Sequence, residues 1–169
     1  RAAESSGSEM ALEGPAGSAD TALLARNLSI TGGSGTAEDH MAIVARAALL
    51  PGYVLERFER KGVRIVACRD SVTDFERSLR GVVPRGWERT GKTWDDVPGA
   101  YLPARNRVVV ATVDANGRRA IPGKDSGKHG SSDLLIHEAL HGFEFASGHA
   151  VLADPRFRDA RTADFARLD

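Results

Sequence analysis

The chain of 169 residues holds one cysteine and two methionines, and its aromatic content is 6%. A single cysteine, Cys68, excludes an internal disulfide and any cysteine-rich zinc module. It closes the run Val63-Arg64-Ile65-Val66-Ala67-Cys68, which reads as a strand, so a buried thiol is expected there rather than a nucleophile. An excess of one charge is also missing: 23 Lys+Arg face 23 Asp+Glu, for a formal net charge of +0. That balance argues against a polybasic nucleic-acid binder or a membrane-surface binder. Long apolar runs are absent too. Ala47-Ala48-Leu49-Leu50 falls far short of the ~20 residues a membrane span needs, and no apolar h-region of a signal peptide follows Arg1. What remains is 41% hydrophobic residues with 18 glycines, enough for the core of one domain.

Residues 1–19 are rich in Ala, Gly, Ser and Glu and predict a disordered lead-in, leaving one domain over 20–169. Leu23, Leu24 and Leu28 suggest a first short helix, interrupted by Thr31-Gly32-Gly33-Ser34-Gly35. Thr36 can cap a second helix running to about Leu50, with Ile43, Val44 and Ala47 at helical spacing. Pro51-Gly52 stops it. A third helix, Tyr53 to Arg60, places Val54, Leu55 and Phe58 on one face and ends at Gly62. The segment from Gly81 to Pro103, dense in Pro and Gly and carrying both tryptophans, reads as a structured loop or hairpin. Arg107 to Val113 is the clearest strand, and Asn116-Gly117 the strongest hairpin turn. A last helix, capped by Ser131 or Ser132, carries Leu134, Leu135, Ile136, Leu140 and Phe143. This order of elements predicts an α+β fold.

The chemistry sits on that last helix, in His137-Glu138-Ala139-Leu140-His141. Histidines at i and i+4 share a helix face, so their ring nitrogens can converge on one Zn²⁺. Glu138 is rotated by about 100° from His137, which suits it to accept a proton from water rather than to ligate. Zinc acidifies that water, and the attack falls on a peptide carbonyl. Uncharged Ile136, Ala139, Leu140 and Gly142 suit a buried metal helix, whereas burying the charged groups without a metal is costly. The competing reading is a structural histidine pair. A catalytic zinc needs a third protein ligand. Glu144 lies a further turn away, while His149, Asp154 and Asp159 are alternatives of equal standing beside a solvated role for each.

Residues 81–99, Gly-Val-Val-Pro-Arg-Gly-Trp-Glu-Arg-Thr-Gly-Lys-Thr-Trp-Asp-Asp-Val-Pro-Gly, followed by the His-Glu-x-x-His motif, resemble secreted bacterial Pro-Pro endopeptidases and the catalytic domain of anthrax lethal factor. The resemblance extends more weakly from about Pro51 through Phe145. It implies a zincin-like metallopeptidase fold with N-terminal helices, a small mixed sheet and an active-site helix. It further implies a zinc endopeptidase in which His137 and His141 hold the metal and Glu138 is the general base. In such relatives the matching Lys and Trp lie along the substrate groove, which makes Lys92 and Trp94 substrate-binding candidates. An indole packs well on a proline-rich peptide, and a lysine can fix an acidic neighbour. Trp87 is better suited to core packing, Asp95 and Asp96 to turn or cap roles, and His129 to the entry of the helix.

Arg89 replaces a small residue of the relatives, and Ala100-Tyr101-Leu102-Pro103 replaces a Gly-rich loop that closes over substrate. Both departures bear on Pro-Pro preference. The relatives' third ligand, a Glu, and their transition-state Tyr fall well beyond the second His. They are expected past Asp169, with a C-terminal helical part missing here. The leading expectation is therefore a zinc-dependent endopeptidase, a secreted bacterial protease or toxin-like effector delivered to a host cell. Protein or peptide would be its substrate, added as a strand beside Arg107–Val113. A monomer without nucleic-acid or membrane partners is expected. The alternative is a truncated or degenerate relative that binds zinc, peptide or a partner without hydrolysis.

Overall fold

The computed structural model describes residues 19–123 and 130–165. The lead-in read over 1–19 and the entry role of His129 lie outside them, except that Ala19 opens the first helix.

The elements run α1 (Ala19–Leu28), β1 (Ser29–Thr31), α2 (Ala37–Ala47), α3 (Gly52–Lys61), β2 (Arg64–Cys68), β3 (Gly99–Leu102), β4 (Arg107–Ala111), α4 (Leu134–Ala146), α5 (Ala150–Ala153) and α6 (Pro155–Phe165). The four strands form one mixed sheet in the order β1-β2-β4-β3. β1, β2 and β4 are parallel, with Ser29 opposite Ile65 and Val66 opposite Val109. β3 runs antiparallel to β4 at the edge, Tyr101 facing Val108. The α+β expectation with a small mixed sheet therefore holds. No helix among the described residues is long and apolar enough to cross a membrane.

β2 and β4 are buried on both faces, as a period of two in an apolar run requires. Ile65, Ala67, Val108 and Val110 pack under the helices with Leu28, Ile43, Leu55, Phe58, Leu134, Leu135 and Ala139. Val66, Cys68 and Val109 point the other way, into a smaller cluster with Val72, Val97 and Leu102. Cys68 is thus the buried thiol its strand position predicts, and burial pushes its pKa up to about 12.

Local chemistry sets most helix ends. Thr36 caps α2 in a reciprocal capping box, its Oγ1 accepting the Asp39 N–H at 3.3 Å while Asp39 accepts the Thr36 N–H at 2.7 Å. Gly62, at φ 67°, takes the left-handed conformation that ends α3 and turns the chain into β2.

Three expectations are corrected. The chain after α1 is not simply a break: Ser29–Thr31 forms a short strand because Ile65–Ala67 offers it a parallel partner. The strand read over Arg107–Val113 ends at Ala111, since the Thr112 N–H turns to the carbonyls of Cys68 and Arg69. The predicted Asn116-Gly117 turn is bracketed by an antiparallel bridge between Val113 and Arg119. The cap of the last helix is Asp133, not Ser131 or Ser132: its Oδ1 accepts the Ile136 N–H at 2.9 Å. Its other oxygen pairs with Arg46 of α2, which selects it among the three polar residues that precede the helix.

Candidate active site

α4 is held from both ends of its inner face. Leu134, Leu135 and Ala139 are fully buried, and each buried leucine contributes roughly 1.5–3 kcal/mol. Gly142 continues this face. A Cβ there would meet Val108 at 3.0 Å, Tyr101 at 3.1 Å and Phe58 at 3.3 Å, so the glycine lets the helix lie close on β3 and β4. With that stripe inward, His137 and His141 project together on the opposite, solvent side. Leu140, expected inside, is 52% exposed between them, so the helix is buried along one stripe and not all round.

The ring nitrogens converge. His137 Nε2 and His141 Nε2 stand 3.1 Å apart with the rings at 84°. Two lone pairs at that distance repel unless a proton or a cation lies between them. Two nitrogens on a tetrahedral zinc ion would stand about 3.3 Å apart at ordinary bond lengths. The pair fits half of such a site.

Glu138 takes the direction that its 100° offset predicts, inward beneath β3, and is 6% exposed. Its Oε2 accepts the main-chain N–H of Tyr101 at 3.1 Å, and Oε1 lies 3.9 Å from His137 Nε2. Burial raises its pKa above the ordinary carboxylate value, offset in part by His141 and by the Tyr101 N–H. A carboxylate so placed gains a proton more readily than one in water, which is the property a general base uses.

The third ligand is not assembled here. Among the described residues no group of three His, Cys, Asp or Glu could hold a metal. His149 faces Phe145, ring centroids 5.5 Å apart, with Nδ1 4.0 Å from Glu144 Oε1. Asp154 is engaged by Arg156 at 2.8 Å, and Asp159 is exposed on α6. Glu144 accepts the Leu152 N–H at 3.0 Å, turned toward α5.

Glu138 and His141 open into a cleft of about 620 Å³ whose lining also includes Lys92, Trp94, Trp87, Phe145 and His149. The structure thus brings Lys92 and Trp94 together with Glu138 and His141. The segment carrying them is pinned by Asp95, which accepts from Thr73 Oγ1 and from the Gly81 N–H, each at 2.7 Å. Asp96 closes a capping box with Thr93. Both aspartates have the turn and cap roles expected of them.

A family model described as anthrax toxin lethal factor, N- and C-terminal domain, matches residues 33–164. The chain belongs to the anthrax toxin lethal factor family. Within it, a Pro-Pro endopeptidase of Paenibacillus alvei is 34% identical over 130 residues, covering 75% of this chain and 54% of the relative. Another, of Clostridioides difficile, is 36% identical over 115 residues, covering 67% and 46%. The chain spans about half the length of these curated relatives. The solved structure of the Pro-Pro endopeptidase from Paenibacillus alvei superposes with a TM-score of 0.63 at 30% identity, covering 80% of this chain and 69% of that one.

Two site expectations change for this lethal-factor relative. Trp87 does not pack in the core: it is 37% exposed at the rim of the cleft, while Trp94 is partly buried against Val66, Val97 and their neighbours. β4 cannot accept a substrate strand, because β2 and β3 already flank it. The outer edge belongs to β3, whose Gly99, Ala100 and Tyr101 line the cleft. Tyr101 is the residue that sequence reasoning missed. It acts through its main-chain N–H, which no side-chain pattern marks; its hydroxyl bond to Asn106 at 3.0 Å and its ring against Phe145 fix the strand from both sides.

Proposed function

We propose that this chain carries the catalytic groove of a zinc-dependent endopeptidase acting on proline-rich segments of a protein or peptide. The observation that carries the reading is the convergence of the His137 and His141 nitrogens beside the buried Glu138 at the mouth of a cleft. His137 and His141 would hold the ion, with a third ligand from outside the described residues. When bound there, zinc supplies Lewis acidity toward the scissile carbonyl and toward water.

The chain's own residues supply the rest. Glu138 takes the proton that the attacking water gives up and returns it to the leaving amine. The Tyr101 N–H keeps its carboxylate aimed. A peptide lying along β3 would be extended, which matches the shape of proline-rich chains. Trp94, Trp87 and Phe145 line the cleft and supply the aromatic surface against which it would pack. Relatives named for a Pro-Pro bond support that substrate class.

A second reading, metal and peptide binding without hydrolysis, is favoured by one observation: among the described residues no third ligand joins His137 and His141. Glu138→Gln separates the two. In zinc-loaded protein offered proline-rich peptides, the parent cleaves, and the variant keeps its zinc and its peptide affinity but loses turnover by at least about a hundredfold. Equal cleavage by parent and variant would overturn the proposed role of Glu138; no cleavage by either would favour the binding reading.

A further inference from the structure

The hairpin that carries the edge strand is held by more than its ladder. Between β3 and β4 the chain turns through Pro103–Arg105 to Asn106, whose backbone is left-handed at φ 55° and ψ 48°. Asparagine enters that conformation more readily than most residues. Its side chain reaches two other elements. Nδ2 donates to the Lys61 carbonyl at 2.7 Å, and Oδ1 accepts the Tyr101 hydroxyl at 3.0 Å. A carbonyl only accepts, so the amide orientation is decided, and Oδ1 is the atom left for the hydroxyl. Lys61 ends α3, where helix carbonyls lack helical partners. The main chain of Asn106 is engaged as well: its N–H donates to the Pro103 carbonyl at 3.1 Å, and its own carbonyl accepts the Arg64 N–H at 3.3 Å and the Arg107 guanidinium at 2.9 Å. One residue thus ties the end of α3, the start of β2 and the hairpin turn to Tyr101. Tyr101 carries the link onward. Burial raises its pKa above the ordinary value, so the hydroxyl is a donor at neutral pH. Its ring lies against Phe145, and its main-chain N–H donates to Glu138 Oε2 at 3.1 Å.

We propose that Asn106 is a positioning residue for hydrolysis: by anchoring the Tyr101 hydroxyl to the end of α3 it fixes β3 against α4, and with it the N–H that aims the Glu138 carboxylate. The inference rests on the endopeptidase reading and adds a residue on which its general base depends. Asn106 lies outside the cleft lining, so it acts through Tyr101 and not on the peptide. The reason is mechanical. An edge strand has ladder bonds on one side only, and a carboxylate aimed by such a strand is placed no better than the strand itself. Proton transfer needs hydrogen-bond reach, and small misplacements cost rate. Peptide contacts spread along the cleft, so losing the anchor falls on kcat and not on KM.

Two variants test it. Asn106→Gly keeps the left-handed backbone and removes the side chain, and Tyr101→Phe removes the hydroxyl alone. With zinc-loaded protein and a proline-rich peptide, assayed well below each variant's Tm, each should lower kcat about three- to tenfold, the worth of one hydrogen bond, with KM held within about twofold. Asn106→Gly/Tyr101→Phe should fall no further than the worse single variant, because both remove the same bond. Amide exchange followed by NMR on the metal-free protein reads the link without turnover: the Tyr101 N–H should exchange faster in both variants while the amides of β4 keep their rates. An unchanged kcat, additive losses in the double variant, or a Tyr101 exchange rate that is constant or rises only together with those of β4 would overturn the inference and leave the endopeptidase reading standing. A parent that cleaves nothing counts against that reading, and the exchange rates then decide alone whether Asn106 holds the Tyr101 amide on Glu138.

Discussion

Asp133 offers the sharpest test of how the active-site helix is held. Its carboxylate does two things: one oxygen caps α4 through the Ile136 N–H, and the other pairs with Arg46. Losing a side-chain cap costs ~1 kcal/mol. The ion pair joins an Asp133 side chain 11% exposed to an Arg46 side chain 42% exposed, so solvent screening holds it to about 0.5–1 kcal/mol. Asp133→Ala should therefore lose about 2 kcal/mol. For a domain of this size that is a fall in Tm of about 4–8 °C. Asp133→Asn keeps a good cap and gives up the charge, so about 1 kcal/mol or less should go. The melts are read by circular dichroism with chelator present, which removes the stabilisation that metal binding adds. Zinc titration then reads the function, because the first turn of α4 ends at His137: Asp133→Ala should weaken zinc binding more than Asp133→Asn does. If the asparagine variant melts as low as the alanine variant, the cap is not what holds the helix. If alanine changes Tm by less than about 1 °C, neither interaction matters.

Cys68 should resist a thiol reagent at neutral pH in the folded protein and react stoichiometrically in denaturant, because burial holds its pKa at about 12. Rapid labelling in buffer would contradict its place in the core. Glu76 reports on acid stability. Its hydrogen bonds from Arg105 and Ser78 hold its carboxyl at about 2, below the ordinary 4.5. A depressed pKa stabilises the fold above the unfolded value and loses that contribution as pH falls toward the folded one. Glu76→Gln should thus lower the urea midpoint at pH 7, with the deficit closing between about 4.5 and about 2. A deficit that stays constant across that window would assign the effect to shape and not to charge.

The parts of the fold that were legible in the sequence are those with a period. The helical spacing of Ile43, Val44 and Ala47, the Val63–Cys68 run, the Arg107–Val113 run (two residues longer than the strand it forms), and the i, i+4 histidines each state their geometry in residue types alone. β1 was hidden because Ser29, Ile30 and Thr31 are too few to show alternation; their strand character comes from β2. The cap of α4 was hidden because Ser131, Ser132 and Asp133 can all cap, and Arg46, 87 positions away, decides. Trp87 was misplaced for a related reason: an indole suits a core, yet its loop turns Trp94 and not Trp87 onto the apolar cluster around Val66 and Val97. In the site, the two histidines and Glu138 could be read from their spacing, whereas the Tyr101 donor is backbone and appears only once β3 lies against α4.

That donor also governs how the site can be dissected. β3 is the open margin of the sheet, where an unoccupied amide invites strands of other molecules to dock. Glu138 stoppers that margin from below. Shortening it to alanine removes a proton acceptor and uncovers an amide in one stroke, so an alanine variant that self-associates would report the bared margin and say nothing of catalysis. Glutamine leaves an oxygen over the amide, which makes it the cleaner knock-out.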